Sequence, residues 1–199
     1  NQRTALKYFI MEGKLFIFSA PSGAGKTTIV KYLLDQIPEL QFSVSATTRP
    51  ARIEETDKKD YYFLSNEEFL HRVAKKQFVE FEEVYKGTFY GTLRAEIGRI
   101  WAEGKHVIFD LDVQGGMHLK KKFGAQALSV FVKPPSMEVL IKRLTGRATE
   151  SAEKIAERIE KAGIELSYQD KFDVILLNDD LEVSCARALH LVTDFIKSE

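Results

Sequence analysis

The segment LFIFSAPSGAGKTT, residues 15–28, decides the fold of this chain. Its first part, residues 15–20, is a short apolar run with the length and composition of a buried strand. A helix is predicted over 27–37, because apolar residues recur there every three to four positions and Pro38 follows them. Strands and helices continue to alternate along most of the chain, which favours an α/β fold with a parallel sheet covered by helices on both faces.

The turn between the first strand and the first helix has the composition of a phosphate-binding loop. Residues 20–27, APSGAGKT, match the pattern G-x-x-x-x-G-K-S/T except that Ala20 replaces the first glycine. The two inner glycines let backbone N–H groups converge on phosphate oxygens, and the helix N-terminus adds partial positive charge. We expect Lys26 to reach the β- and γ-phosphates of a nucleotide and the Thr27 hydroxyl to ligate Mg²⁺. A plain glycine turn is the alternative interpretation.

The composition limits the class of protein. The chain has 199 residues and a mass of 22.7 kDa, 44% of its residues are hydrophobic, and 29 basic residues balance 29 acidic ones. These figures are typical of one globular domain and not of a disordered or coiled-coil chain. Zero net charge argues against a general nucleic-acid coat or a membrane-surface binder, so we expect neither nucleic acid nor membrane as a partner.

Cysteine usage indicates the compartment. Cys185 is the single cysteine, so no internal disulfide is expected. Together with the lack of a secretory hydrophobic segment in this sequence, this favours a reducing, cytoplasmic setting. The apolar runs are much shorter than the roughly 20 residues that span a bilayer. Met11 directly precedes the first strand, so the sequence leaves open whether residues 1–10 are native.

Residues 42–92 differ from the rest of the chain, because they are charged, aromatic and broken into short segments. Strands are predicted over 61–64 and 78–84. A helix is predicted between them, since Ser65 and Glu68 form a capping-box pattern. The buried face of that helix is expected to comprise Phe69, Leu70 and Val73. We interpret this region as an inserted α+β subdomain.

Beyond this region the alternation of strands and helices resumes. The predicted elements are a helix from residue 93 that Gly104 ends, a strand over 107–111, a helix over 113–123, a strand over 128–132, helices over 136–145 and 151–168, a strand over 174–177 and a helix over 181–196. Each has an apolar run of strand length or apolar residues at helical spacing.

One of these strands ends in two carboxylates. Residues 107–112, VIFDLD, place Asp110 and Asp112 two positions apart, and side chains on a strand point to the same side at every second residue. Either carboxylate suits the acidic partner that a nucleotide-bound metal needs. A charged strand end at a turn is the alternative interpretation.

Two arginines and two phenols indicate a second phosphate site. Arg49 and Arg52 lie three positions apart beside a proline, and Tyr61 and Tyr90 lie in two further aromatic segments, residues 60–63 and 89–92. Two guanidinium groups with two phenols suit a phosphate monoester dianion. Arginines on a solvated surface are the alternative.

Taken together, these residues resemble the guanylate kinase family, which moves a phosphoryl group from ATP to GMP. The family motif T-S/T-R-x-x-R-x-G-E-x-x-G-x-D-Y appears here as Thr47-Thr48-Arg49, Arg52, Glu55 and Asp60-Tyr61. Further marks are Ser43-Val44-Ser45, Tyr90-Gly91-Thr92, Asp110-Leu111-Asp112-Val113-Gln114-Gly115, Arg143-Leu144, Arg147, Arg158 and Asn178-Asp179-Asp180. The resemblance covers nearly the whole chain, from about residue 13 to the C-terminus.

The resemblance implies an architecture for the single domain of residues 1–199. It is a P-loop kinase fold whose core, residues 11–41, 96–137 and 165–199, is a parallel sheet flanked by helices. Residues 42–95 are the implied GMP-binding subdomain, and residues 138–164 are the implied helical lid. Closure of both over the core is expected, because water must be kept from the reacting phosphoryl group.

The resemblance also implies which residues bind the substrates. The ATP-binding residues are Ser22, Gly23, Ala24, Gly25, Lys26, Thr27 and Thr28, with Asn178 near the adenine. The GMP phosphate is held by Arg49, Arg52, Tyr61 and Tyr90, and guanine by Ser45, Glu80, Thr92 and Asp112. Mg²⁺ is expected to accompany ATP, bound by Thr27 and Asp110. Asn178 has an alternative interpretation as part of a polar turn.

Three arginines and Lys26 complete the implied catalytic set. The arginines are Arg143, Arg147 and Arg158, which close over ATP and the migrating phosphoryl group in this family. Salt bridges along the helix surface are the alternative, since several glutamates lie nearby. No general base is needed, because the GMP phosphate is already largely dianionic and attacks directly. Catalysis then consists of positioning and charge neutralisation.

Two positions depart from the family pattern. Glu54 and Lys58 replace glycines, so we expect a differently shaped loop before Tyr61. Two other functions compete with the kinase. In a non-catalytic binding module we would expect a damaged phosphate loop, and in a sugar-phosphate kinase we would expect the guanine-binding residues to be lost. This sequence keeps both the phosphate loop and the guanine-binding residues. Homo-oligomer formation and the preference between GMP and dGMP are not readable from the sequence.

Overall fold

The structure is a computed structural model that describes residues 13–146 and 152–198. In chain order its elements are β1 (Leu15–Ser19), α1 (Lys26–Gln36), β2 (Leu40–Phe42), β3 (Ala46–Thr47), β4 (Tyr62–Phe63), α2 (Asn66–Ala74), β5 (Phe78–Tyr85), β6 (Thr88–Leu93), α3 (Arg94–Ala102), β7 (His106–Leu111), α4 (Val113–Phe123), β8 (Ala127–Lys133), α5 (Met137–Thr145), α6 (Ala152–Leu166), β9 (Val174–Leu177) and α7 (Leu181–Lys197). Short 3₁₀ turns follow α4 and α6. Residues 1–10, Met11 and Arg147 lie outside the described residues.

A five-stranded parallel sheet forms the centre of the fold, in the order β2-β7-β1-β8-β9. Strand β1 lies between β7 and β8, so that Leu15 pairs with Val107 on one side and with Ala127 on the other. Every residue of β1 is fully buried. A strand covered on both faces is almost entirely apolar, as β1 is apart from Ser19. The predicted parallel sheet with flanking helices is confirmed.

Helices cover the two faces of this sheet in separate clusters. On one face, Phe16 and Phe18 pack against α1 and α7, with Leu33 and Val192 as members of the same cluster. On the other face, Ile17 packs among side chains of α3 and α4. Because successive side chains of β1 point to opposite faces, this one strand anchors both layers.

A second, four-stranded sheet has the order β4-β3-β6-β5 and contains the antiparallel hairpin of β5 and β6. Helix α2 packs on it through Phe69, whose ring stacks on Phe78 with centroids 4.3 Å apart and on Phe89 at 5.5 Å. These elements all belong to the predicted α+β region over 42–92. Its assignment as a GMP-binding subdomain over 42–95, and of a lid over 138–164, stays a prediction.

Most predicted elements have the expected type, and α4 and β9 have the expected bounds. Strands β2, β3 and β6 were not among the predicted elements. Strands of two or three residues, such as β3 and β2, are too short for a periodic pattern to emerge.

One prediction about α2 is wrong and another holds only in part. Leu70 is 49% exposed, so it does not belong to the buried face that Phe69 provides. Ser65 caps the helix by accepting a hydrogen bond from the Glu68 N–H at 3.1 Å. The Glu68 carboxylate pairs with Arg72. Among the residues that the structure describes, no helix is both long and apolar enough to cross a membrane.

Candidate active site

A cleft of about 440 Å³ lies where the carboxyl ends of β1 and β7 meet the second sheet and α6. In open α/β sheets this end of the strands is the usual place for a ligand. All seven loop residues expected to bind ATP line the cleft: Ser22, Gly23, Ala24, Gly25, Lys26, Thr27 and Thr28.

The loop has the backbone conformation that its glycines predict. Gly23 has φ of 88° and Gly25 has φ of 90°, in the left-handed region that favours glycine. Helix α1 begins directly afterwards at Lys26 and directs its N-terminus towards the loop. The segment therefore has the geometry of an anion-binding loop.

Asn178 supports this loop from beneath. It is 3% exposed, and its Nδ2 donates a hydrogen bond to the Ala24 carbonyl at 2.7 Å. A Cβ on Gly25 would collide with the same amide group, so glycine is required there for close approach as well as for its φ. The side chain of Asn178 is thus turned towards the loop backbone, and its contact with adenine stays a prediction.

Lys26, Thr27 and Asp110 form one polar cluster at the base of the cleft. Lys26 makes an ion pair with Asp110 and donates to the Leu111 carbonyl at 2.7 Å. The Thr27 hydroxyl donates to the other oxygen of Asp110 at 2.8 Å. Asp112 instead caps α4, since its Oδ1 accepts from the Gly115 N–H at 2.8 Å. Of the two candidate carboxylates, Asp110 is the one that contacts Thr27.

The Thr27 and Asp110 oxygens are suited to Mg²⁺, which is a hard cation and prefers oxygen ligands. Among the described residues, no group of three or more histidine, cysteine or acidic side chains is placed to hold a metal. Mg²⁺ in phosphoryl-transfer sites is usually bound by one or two protein oxygens, with phosphates and water completing the shell. The two oxygens present therefore fit a metal that arrives with a nucleotide.

A buried carboxylate lies across the cleft on the second sheet. Glu80 of β5 pairs with Thr92 of β6, and its Oε1 accepts a hydrogen bond from the Thr92 hydroxyl at 2.6 Å. Burial raises the pKa of Glu80 to about 7, with the charges of Asp112 and Glu82 adding to the effect and the Thr92 bond opposing it. Ser45 and Asp112 also line the cleft. Of the four residues expected to bind guanine, three therefore line the cleft, and Thr92 is hydrogen-bonded to one of them, Glu80.

The predicted phosphate clamp is only partly assembled. Tyr61 and Tyr90 line the cleft edge to face, with ring centroids 6.0 Å apart. Arg49 lies over the Tyr61 ring at 4.9 Å and makes two 2.6 Å hydrogen bonds to Glu55. The side chain of Arg52 is exposed and does not line the cleft. The structure thus brings the two phenols together and leaves both guanidinium groups outside the cavity wall.

Glu55 organises this loop, a role that the sequence reading did not assign. Besides binding Arg49, its carboxylate accepts from the Arg52 N–H at 2.8 Å, and the Arg49 guanidinium lowers the pKa of Glu55 to about 2. Lys58 has φ of 65°, so the backbone keeps a glycine-like conformation there, whereas Glu54 does not have a positive φ.

The predicted catalytic arginines have different surroundings. Arg158 of α6 lines the cleft and donates to the Ser22 hydroxyl of the phosphate loop at 3.0 Å. Arg143 of α5 is half-buried and does not line the cleft. Arg147 lies outside the described residues, so its predicted role has no structural description.

Three further charged residues line the cleft, and none of them was among the predicted site residues: Glu82 on β5, and Lys161 and Glu165 on α6. Burial raises the pKa of both glutamates to about 7. Lys161 lies 3.8 Å from the Glu165 carboxylate and 5.6 Å from the centre of the Tyr85 ring on β5. The sequence does contain a signal for two of them. Lys161 and Glu165 follow Arg158 by three and seven positions, so on a helix they lie on the same face as Arg158.

Comparisons with known proteins agree with one another. The family model described as guanylate kinase matches residues 12–198. The guanylate kinase of Bacteroides fragilis is 50% identical over 185 residues, which cover 93% of this chain and 91% of that protein. The guanylate kinase of Bacteroides thetaiotaomicron is 49% identical over 189 residues, covering 95% and 93%. The crystal structure of guanylate kinase from Anaplasma phagocytophilum matches with a TM-score of 0.76 at 29% identity, covering 94% of this chain and 87% of that one.

Proposed function

The chain belongs to the guanylate kinase family, and from this premise we propose how its own residues carry out the reaction. The enzyme is an ATP:GMP phosphotransferase that phosphorylates GMP to GDP at the expense of ATP. One observation carries the assignment of residues: the phosphate loop and the carboxylates of Glu80 and Asp112 open into the same cleft. Donor and acceptor can therefore meet in one cavity.

The phosphate loop binds the triphosphate of ATP. Backbone N–H groups around Gly23 and Gly25 and the N-terminus of α1 supply partial positive charge, and Lys26 supplies a full one. Lys26 makes an ion pair with Asp110, so its ammonium group is held at the end of β7, beside the loop. Binding of ATP exchanges this ion pair for contacts with the β- and γ-phosphates.

Glu80 selects guanine by its hydrogen-bonding pattern. Guanine offers the N1–H and the 2-amino group side by side, and a carboxylate accepts from both. Adenine has an acceptor at N1 that would face the carboxylate lone pair to lone pair. Since an unpaired buried polar group costs about 1–3 kcal/mol and a charged one more, discrimination of about 100-fold or beyond is expected. Thr92, which already hydrogen-bonds Glu80, orients that carboxylate.

Phosphoryl transfer then depends on positioning and charge. Tyr61 and Tyr90, with Arg49 and Arg52 drawn in by the substrate, hold the GMP phosphate as a nucleophile. Arg158 lies beside Ser22 of the phosphate loop, so it is placed to neutralise charge on the migrating group. Arg143 and Arg147 act after closure of the lid over residues 138–164, and residues 42–95 close from the other side.

Mg²⁺ is proposed as the cofactor that accompanies ATP. Thr27 and Asp110 are the residues that would hold it, because their oxygens are already 2.8 Å apart at the base of the cleft. When bound, Mg²⁺ neutralises charge on the β- and γ-phosphate oxygens. The single cysteine suits a reducing compartment, and the cytoplasm is the location we propose.

The acceptor specificity of the purified enzyme tests this function. ADP formation is measured with ATP and Mg²⁺ while GMP, AMP, CMP or UMP is offered as acceptor. We expect rapid turnover with GMP alone. Turnover with none of the four would contradict the kinase function and favour a binding module. Equal turnover with AMP would contradict the role of Glu80.

A further inference from the structure

Glu82 has a carboxylate oxygen that the proposed mechanism leaves without a partner. Glu82 lines the cleft, and its Oε2 is buried without a hydrogen-bond partner. Leaving a buried acceptor unsatisfied is unfavourable, more so for a charged group. Within the cleft, such an atom indicates that a bound ligand supplies the missing donor.

The register of the β5–β6 hairpin fixes where this oxygen lies along the substrate. Glu80 is opposite Thr92 and Glu82 is opposite Tyr90, and all four side chains are on one face of the antiparallel pair. Glu80 and Thr92 are the proposed guanine contacts, and Tyr90 is a proposed phosphate contact. Glu82 is therefore displaced by two residues along β5 from the base contact Glu80, towards Tyr90, with which it pairs.

The part of a nucleoside monophosphate between its base and its phosphate is the ribose. Its 2′- and 3′-hydroxyls are neighbouring donors, and an ionised carboxylate accepts hydrogen bonds at both oxygens. Proteins that bind dinucleotides use an acidic side chain in this way on the ribose 2′-hydroxyl. A carboxylate facing the phosphate itself would be repelled.

We propose that Glu82 accepts hydrogen bonds from the ribose hydroxyls of GMP and makes the enzyme prefer GMP to dGMP. The proposal rests on the proposed function, because it takes the position of GMP from Glu80 and Tyr90. Under this proposal Glu82 determines specificity for the sugar by hydrogen-bonding the ribose, whereas Glu80 determines specificity for the base by hydrogen-bonding guanine.

The charges around Glu82 are consistent with this role. The charges of Asp112, which caps α4, and of Glu165 on α6 act on Glu82, and Lys161 of α6 supplies an opposing positive charge. Lys161 lies 3.8 Å from the Glu165 carboxylate and over the Tyr85 ring, and Glu82 Oε2 accepts no hydrogen bond from it. The two ribose hydroxyls of GMP would supply donors to that oxygen.

The test is the ratio of kcat/KM for GMP to kcat/KM for dGMP in the wild type, Glu82→Ala and Glu82→Gln. Glu83→Gln is the matched control, because Glu83 is the next residue of β5 and is exposed. We expect the wild type and Glu83→Gln to prefer GMP by about tenfold or more, as for one hydrogen bond to a charged group. In Glu82→Ala the ratio should fall to within about twofold of unity, with Glu82→Gln in between.

Two results would overturn the proposal. One is a wild type that uses GMP and dGMP equally well. The other is Glu82→Ala with an unchanged ratio, which would mean that Glu82 serves only to pair with Lys161. Thermal melting shows whether each variant is folded, and Glu82→Gln, which keeps the side-chain shape, carries the test if the alanine variant does not fold. If the wild type does not turn over GMP at all, the proposed kinase function itself is contradicted. That outcome differs from an unchanged ratio of GMP to dGMP use, which contradicts only the role of Glu82.

Discussion

At the scale of single residues, recognition of the base depends on Glu80. Its carboxylate is buried, is oriented by Thr92, and has a pKa raised to about 7 by burial and by neighbouring charges. Burial makes this carboxylate costly to keep charged, and guanine N–H donors compensate that cost when GMP binds. Glu80 therefore favours a base that has N–H donors at both N1 and the 2-amino group.

Glu80→Gln is expected to raise the KM for GMP by about ten- to a hundredfold, since one hydrogen bond to a charged group is lost and an amide N–H replaces an acceptor. The KM for ATP should stay within about twofold, because Glu80 lies across the cleft from the phosphate loop. Steady-state kinetics with each substrate varied in turn checks this, with Glu83→Gln as control. Unchanged GMP kinetics would mean that another carboxylate reads the base.

At the scale of elements, the shape of the phosphate loop depends on two parts of the chain that are far apart in sequence. Asn178 follows β9, and the loop precedes α1, yet the Asn178 amide binds the Ala24 carbonyl. The backbone N–H of Asn178 in turn donates to the Lys133 carbonyl at the end of β8 at 2.8 Å. The central sheet therefore sets the shape of the loop as well as its position.

Asn178→Ala is expected to weaken ATP binding and to lower the free energy of unfolding by about 1–3 kcal/mol, because the buried Ala24 carbonyl loses its donor. Exposed Asp179→Ala is the neighbouring control. Calorimetry with ATP and with pyrophosphate separates the two roles of Asn178. Weaker binding of both indicates support of the loop, whereas weaker binding of ATP alone would mean that Asn178 acts only on the adenine.

Element types were more predictable than the contacts of individual side chains. The glycine-rich loop and α4 have local signals, such as glycine spacing and apolar periodicity, and both were predicted. The contact between Ala24 and Asn178 links residues far apart in the chain, so no local pattern contains it. The pairing of Arg49 with Glu55, and its distance from the cavity wall, likewise depend on how the loop folds back on itself.

At the scale of the whole molecule, acidic side chains outnumber basic ones among the described residues that line the cleft, since Glu80, Glu82, Asp110, Asp112 and Glu165 face three cations. The three glutamates converge from the second sheet and α6, and each has a pKa raised to about 7, chiefly by burial. Lys26, Lys161 and Arg158 are the cations among the described residues that line the cavity. The stability of the free enzyme is therefore linked to pH.

Acidic groups whose pKa is raised by folding stabilise the protein while they are protonated. Their contribution is fully present below the unfolded value of 4.5 and is lost as the pH rises through about 7. We expect the Tm of the ligand-free enzyme to fall as the pH rises from about 5 to about 7, and Glu82→Gln to reduce that fall. His106, whose pKa is lowered chiefly by burial, acts in the opposite direction below about 6.5, but it is one group against three glutamates. A Tm that stays constant or rises over this range would contradict the prediction.

Phosphoryl transfer at the phosphate loop is tested by the rate of GMP phosphorylation by Lys26→Ala at saturating GMP and ATP. We expect a kcat at least about 100-fold below that of the wild type, because the lysine that neutralises the transferred phosphoryl group is missing. GMP affinity, measured by calorimetry, should stay within about threefold, since the acceptor residues lie across the cleft. Turnover like that of the wild type in a correctly folded Lys26→Ala would contradict phosphoryl transfer at this loop.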